Sequence, residues 1–141
     1  MKRIAFAIVA ALVVVGTPIA LLLTRPSPAS GASVKTVDLG IHFSRFSTSS
    51  ITVKKGTTVR FVVANDDPIP HELIVGPPDV QQRHEAGTEA RHAPRPGEIT
   101  IDPISTNTTE YTFDAVGSIE FACHLPGHHA YGMTGQIHVV P

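Results

Sequence analysis

Near the C-terminus, the run Cys123-His124-Leu125-Pro126-Gly127-His128-His129-Ala130-Tyr131-Gly132-Met133 gathers a thiol, three imidazoles and a thioether. Every one of these is a metal donor. Soft sulfur holds Cu(I), imidazole suits both copper oxidation states, and a weak, distant Met completes a trigonal His2Cys arrangement. Such a site needs a further imidazole from outside the loop. His71, in Pro70-His71-Glu72-Leu73, is the upstream candidate. Cys123 is the sole cysteine, so no internal disulfide can form. An unpaired thiol in an exported chain is a liability unless it is used. The donors therefore point to a single copper ion changing oxidation state by one electron, the chemistry of an electron carrier.

Strands must position these donors. Val59, Phe61 and Val63 alternate after the Lys55-Gly56 turn, and Asn65-Asp66-Asp67-Pro68 is a further turn signal. His71, Leu73 and Val75 alternate next, then Thr109, Tyr111 and Phe113, then Ile119, Phe121 and Cys123, and the chain closes on Gln136 to Val140. Short strands spaced by Gly, Pro and Asp turns predict an all-β, antiparallel sandwich or barrel. Successive side chains on a strand face opposite ways. His71 and Cys123 thus share faces with core-type residues and point inward from strand ends. Between Gly76 and Gly97 the pattern breaks, and Asp79 to His92 is compatible with a helix of about three turns inside an inserted loop. Glu85, Glu89 and His92 would share one helical face, with His84 nearby. That face is expected to be solvated, with a secondary metal site as the alternative.

Residues 1–33 stand apart from this pattern. Lys2 and Arg3 precede the apolar run Ile4 to Leu23, followed by a Pro/Ser-rich stretch ending near Ala32. This reads as a secretory signal. A run of roughly 20 apolar residues also suffices for an uncleaved membrane anchor or tether over residues 4–23. With no cysteine near the cut, a lipid anchor on cysteine is excluded. Either way the remainder, residues 34–141, is expected outside the cytoplasm, periplasmic, extracellular or on the outer face of the cytoplasmic membrane. It is long enough for one domain with its own core. It carries eight Lys and Arg against twelve Asp and Glu, a net charge of −4. No basic stripe suggests a nucleic-acid partner.

These residues resemble the cupredoxins, the family of plastocyanins, azurins, auracyanins and rusticyanins. The resemblance spans essentially all of residues 34–141. It rests on Lys54-Lys55-Gly56-Thr57-Thr58-Val59-Arg60-Phe61 leading to an Asn-containing turn and a His, and on a C-x4-H-x4-M loop as in auracyanin and rusticyanin. It implies a Greek-key β-sandwich and one copper ion, with His71 and His128 as nitrogen ligands, Cys123 as thiolate and Met133 as axial sulfur. His129 is the rival loop imidazole. It further implies a non-enzymatic, monomeric electron carrier whose redox protein partner docks at the edge of His128, rimmed by Leu125, Pro126, Ala130 and Tyr131. A copper-trafficking or buffering protein of the cell envelope is the alternative. Two residues depart from the family. Glu72 stands where many cupredoxins have Asn, and is expected near the site or at the surface, not on the metal. His124 follows Cys123 directly and is expected to point away from it and sit exposed. His42 and His138 are expected to be surface strand residues.

Overall fold

The computed structural model describes residues 34–87 and 92–141. The leader or anchor expected over residues 1–33, and Glu89, lie outside the described residues. The order of elements is β1 (Val34–His42), β2 (Arg45–Phe46), β3 (Ser50–Lys54), β4 (Thr57–Asn65), β5 (His71–Gly76), α1 (Pro78–Glu85), β6 (Glu98–Ile101), β7 (Ser105–Phe113), β8 (Gly117–Ala122) and β9 (Thr134–Val140). Four strands form one sheet in the order β2-β1-β4-β7, and five form the other in the order β3-β9-β8-β5-β6. The expected sandwich is present. Within it, β1 runs parallel to β4 and β3 parallel to β9. Strand alternation carries no information on partner direction, so an antiparallel reading could not distinguish these two pairs.

Inward-facing residues of both sheets make the core. Val59, Phe61 and Val63 from β4, Leu73 and Val75 from β5, Phe121 from β8 and Cys123 just after it are buried in one cluster with Met133 and Ile137. Each such large side chain contributes about 1.5–3 kcal/mol on burial. Gly135 in β9 exists as glycine because a Cβ there would lie 2.2 Å from Cζ of Phe121. Gly135 is the register partner of Phe121, so the ring lies over β9 two residues after Met133.

β5 departs from alternation, since all six of its residues are buried. His71, Leu73 and Val75 face the core, while Glu72, Ile74 and Gly76 are covered by the inserted segment. α1 opens with Pro78 as an early helical residue, where a missing N–H costs nothing. It ends at Glu85, shorter than the three turns expected, and Gly87 follows in the left-handed region at φ 71°. Gln81 fixes this helix to the sheet. Its amide nitrogen faces the carbonyls of Ile74, Gly76 and Glu120 at 3.0–3.2 Å.

Candidate metal centre

His71 opens β5, Cys123 follows β8, and His128 sits in the loop before β9. Their donor atoms lie within 4.8 Å of one another. Sγ of Cys123 is 3.3 Å from Nδ1 of His128, and the two imidazole rings are 4.9 Å apart. Two neighbouring strands, β5 and β8, set His71 beside Cys123. The loop is then closed by its own backbone: Cys123 N–H donates to the Met133 carbonyl, Met133 N–H to that of His128, and His128 N–H to that of Leu125. Gly127 and Gly132 take positive φ of 85° each, which lets so short a loop fold back. Met133 is fully buried in the same core cluster as Cys123.

The orientation of His71 comes from Asp67. Nε2 of His71 donates to Oδ2 of Asp67 at 3.0 Å. This leaves Nδ1 as the lone-pair nitrogen. Among the described residues it is the one buried side-chain nitrogen or oxygen with no hydrogen-bond partner. An orphaned, fully buried acceptor costs about 1–3 kcal/mol, and a metal ion is what would satisfy it. A ligating His that donates its other N–H to a carboxylate is the usual device for fixing tautomer and ring orientation. Asp67 itself accepts backbone N–H bonds from Phe43 and Ser44, each 2.7 Å. Burial pushes its carboxyl up, but these bonds and His71 outweigh it and hold it below the ordinary value.

Burial dominates the other two groups. It lowers the basicity of His71 despite Asp67, keeping the imidazole neutral and ready to ligate. It pushes the Cys123 thiol up to about 11, against N–H bonds from Glu72 and Leu125 that favour the thiolate. The Glu72 amide lies 3.3 Å from Sγ. A metal ion must therefore displace the thiol proton on entry, and the two N–H donors are already in place for the anion that results.

The rival and outlying histidines fall elsewhere. His129 turns away from Cys123, with Nε2 3.1 Å from Glu120. His42 and His138 are exposed in β1 and β9. His124 points away from Cys123 as expected, but its side chain is only 2% exposed, which corrects the expectation of an exposed residue. α1 covers it: Nδ1 meets Glu85 at 2.8 Å and Nε2 meets Gln81 at 2.7 Å. Burial and the neighbouring His129 lower its basicity, while Glu85 raises it. Glu72 is buried on the face of β5 opposite His71 and lines the clefts under the insert. The Glu72 carboxylate is close enough to raise the Cys123 thiol further, as expected of a group near the site, while the carboxylate that orients His71 is Asp67, which the sequence reading missed. Because α1 stops at Glu85, the expected single helical face is replaced by two clusters, His84–His92–Glu98 and Glu85–His124–His129.

Comparison with known proteins agrees with this geometry. Residues 34–140 match the family described as copper binding proteins, plastocyanin/azurin family. A copper-resistant cuproprotein, CopI, of Rubrivivax gelatinosus is 37% identical over 97 residues, covering 66% of this chain and 58% of that protein. The chain thus spans little more than half the length of that relative. CopI of Vibrio cholerae is 31% identical over 120 residues, 78% of this chain and 69% of that protein. Among solved structures, reduced auracyanin from the photosynthetic bacterium Roseiflexus castenholzii superposes with a TM-score of 0.64 at 25% identity, over 79% of this chain and all of that one. A buried thiol, two converging imidazoles with one nitrogen left orphaned, and a match over residues 34–140 lead to one conclusion: the chain belongs to the plastocyanin/azurin family of copper-binding proteins, a cupredoxin with copper as its cofactor.

Proposed function

We propose that this chain is a non-enzymatic carrier that moves one electron at a time between redox proteins outside the cytoplasm. Copper, when bound, supplies the Cu(I)/Cu(II) couple. In this reading Nδ1 of His71, Sγ of Cys123 and Nδ1 of His128 would hold the ion, with the buried Met133 sulfur as a further, weaker donor. The observation that carries it is the orphaned Nδ1 of His71, buried beside the thiol and the second imidazole. The residues that hold these donors are packed in the core or tied by backbone bonds, which supports a site that changes little between oxidation states. Asp67 keeps the His71 ring in one orientation, and the Glu72 and Leu125 amides support the thiolate.

The surface supports the same reading. His128 is only partly buried, and its outer side opens on a depression lined by Phe43, Ser44, Arg45, Pro126 and Tyr131. Phe43 and Tyr131 are 80% and 76% exposed. Large aromatics left in water around a ligand edge suit a brief docking contact with a redox partner. The Arg45 guanidinium, which donates to the Tyr131 carbonyl, adds one cation at the rim.

A second reading, copper tolerance by binding or buffering the metal in the cell envelope, is favoured by the curated relatives, which are named copper-resistant cuproproteins. An absorption spectrum of the Cu(II)-loaded protein tests the first. An intense thiolate-to-copper band in the visible is expected, lost in Cys123→Ser with the fold retained. Stoichiometric Cu(II) uptake without that band would sink the proposal and leave binding alone.

A further inference from the structure

On the other side of the ligand loop, His124 and His129 stack with ring centroids 5.0 Å apart, interplanar angle 25°. Both rings are held by their Nε2 atoms. The amide nitrogen of Gln81 is committed to three backbone carbonyls, so its Oε1 is the atom facing Nε2 of His124, and it can only accept. Likewise Oε1 of Glu120 accepts from Nε2 of His129. The Glu120 oxygen is itself fixed by the Thr134 hydroxyl at 2.6 Å. With each Nε2 turned to an accepting oxygen, both Nδ1 atoms turn to one oxygen, Oε2 of Glu85: that of His124 donates to it at 2.8 Å, and that of His129 lies 3.6 Å away. Three metal-donor side chains thus converge on one point, and a metal ion binding there takes the place of the proton between Nδ1 of His124 and Glu85. Each imidazole is backed by a side-chain oxygen on its far nitrogen, the arrangement found behind metal-bound histidine. The site faces a cleft of ≈ 320 Å³ lined also by Glu72, His84 and Leu125, which leaves room for exchangeable ligands.

We propose that His124, His129 and Glu85 form a second metal site, which takes Cu(II) next to the cupredoxin centre. A set of two imidazoles and one carboxylate suits Cu(II) and Zn(II), and Cu(II) binds such sets most strongly among the divalent ions. The site is built from the residues directly following Cys123 and His128, so the same loop that orders one centre orders the other. Glu85 ends α1, where the carbonyl end of the helix favours a cation. The inserted segment thereby has a role: it supplies Glu85 and Gln81 to a site the sandwich alone lacks.

The test is a titration of the full chain with Cu(II) sulfate, followed by absorption and electron paramagnetic resonance, with copper counted after gel filtration. One equivalent should saturate the thiolate band. A second should add a distinct signal with nitrogen hyperfine structure and bring the count to two per chain. Glu85→Gln and His129→Ala should each weaken the second event at least tenfold, as loss of a ligand or its support does, while the thiolate band stays. Glu85→Gln lies outside the ligand loop and separates loss of the site from disturbance of the first. A count of one copper with a full band in the wild type overturns the proposal, as does a second copper that both variants retain undiminished. Absence of the band itself would overturn the carrier reading and leave the count of the second site readable.

Discussion

Asp67 is the residue on which the orientation of the metal centre turns. Its carboxylate holds Nε2 of His71 and two backbone N–H groups at once. Asp67→Asn keeps the shape but removes the charge and offers one accepting oxygen in place of two. Copper affinity should fall about ten- to a hundredfold, since supporting partners of this kind tune ligand strength by that much. The potential should rise by roughly tens of millivolts, where 59 mV is tenfold for one electron, because the lost negative charge had favoured Cu(II) over Cu(I). Chelator competition and a redox titration read both. An unchanged potential and affinity would reduce Asp67 to a turn cap. The sequence marked Cys123, His128, Met133 and His71 as candidate donors through residue type and loop spacing, with His128 set above His129 by the family resemblance. It did not show Asp67. An acidic residue in Asn65-Asp66-Asp67-Pro68 reads as turn chemistry, and its amide partners lie more than twenty residues away in a turn nothing marked.

At the scale of elements, that unmarked turn joins β1 to β2. Ile41 pairs with Phe46 and His42 with Arg45, leaving Phe43 and Ser44 as a two-residue hairpin loop. Both take positive φ, 50° and 53°, the conformation that Asn-Gly favours and that costs other residues about 1–2 kcal/mol each. The Asp67 carboxylate offsets part of this strain, and the strain places an exposed aromatic beside His128. The double change Phe43→Asn with Ser44→Gly should therefore stabilise the fold by roughly 1–2 kcal/mol in denaturant unfolding, with the thiolate band intact. No gain would mean that the two left-handed residues cost the fold little, since the Asp67 bonds to their backbone N–H groups are kept in the variant. A Phe-Ser pair carries no hairpin signal, which is why this element escaped a reading based on turn residues. The strands leading to the candidate ligands were legible because Val, Ile and Phe alternate along them. The burial of Glu72, Ile74 and His124 was not, because it depends on where α1 folds back, and that is set by Gln81 reaching three carbonyls across the sheet.

For the whole molecule, charge and apolar surface are distributed unequally around the copper pole. Residues 34–141 carry a net charge of −4, yet the surface at His128 is aromatic, with Arg45 as the cation beside it. Two copies would approach by this face for electron self-exchange, since it brings the partly buried edges of their His128 rings together. The long-range repulsion is screened by salt, with a Debye length near 10 Å at 0.1 M, so self-exchange should accelerate as ionic strength rises. Tyr131→Glu puts a carboxylate into the contact itself, opposite its own copy. The exchange rate, read from NMR line broadening in a partly oxidised sample, should drop at least about tenfold, as like-charge juxtaposition at a docking face does. The potential should move little, because the Tyr131 side chain is exposed and lies outside the set of donors. If Tyr131→Glu exchanges as fast as the wild type, electrons leave by another route than the edge of His128, and the aromatic rim must be assigned to something other than redox docking.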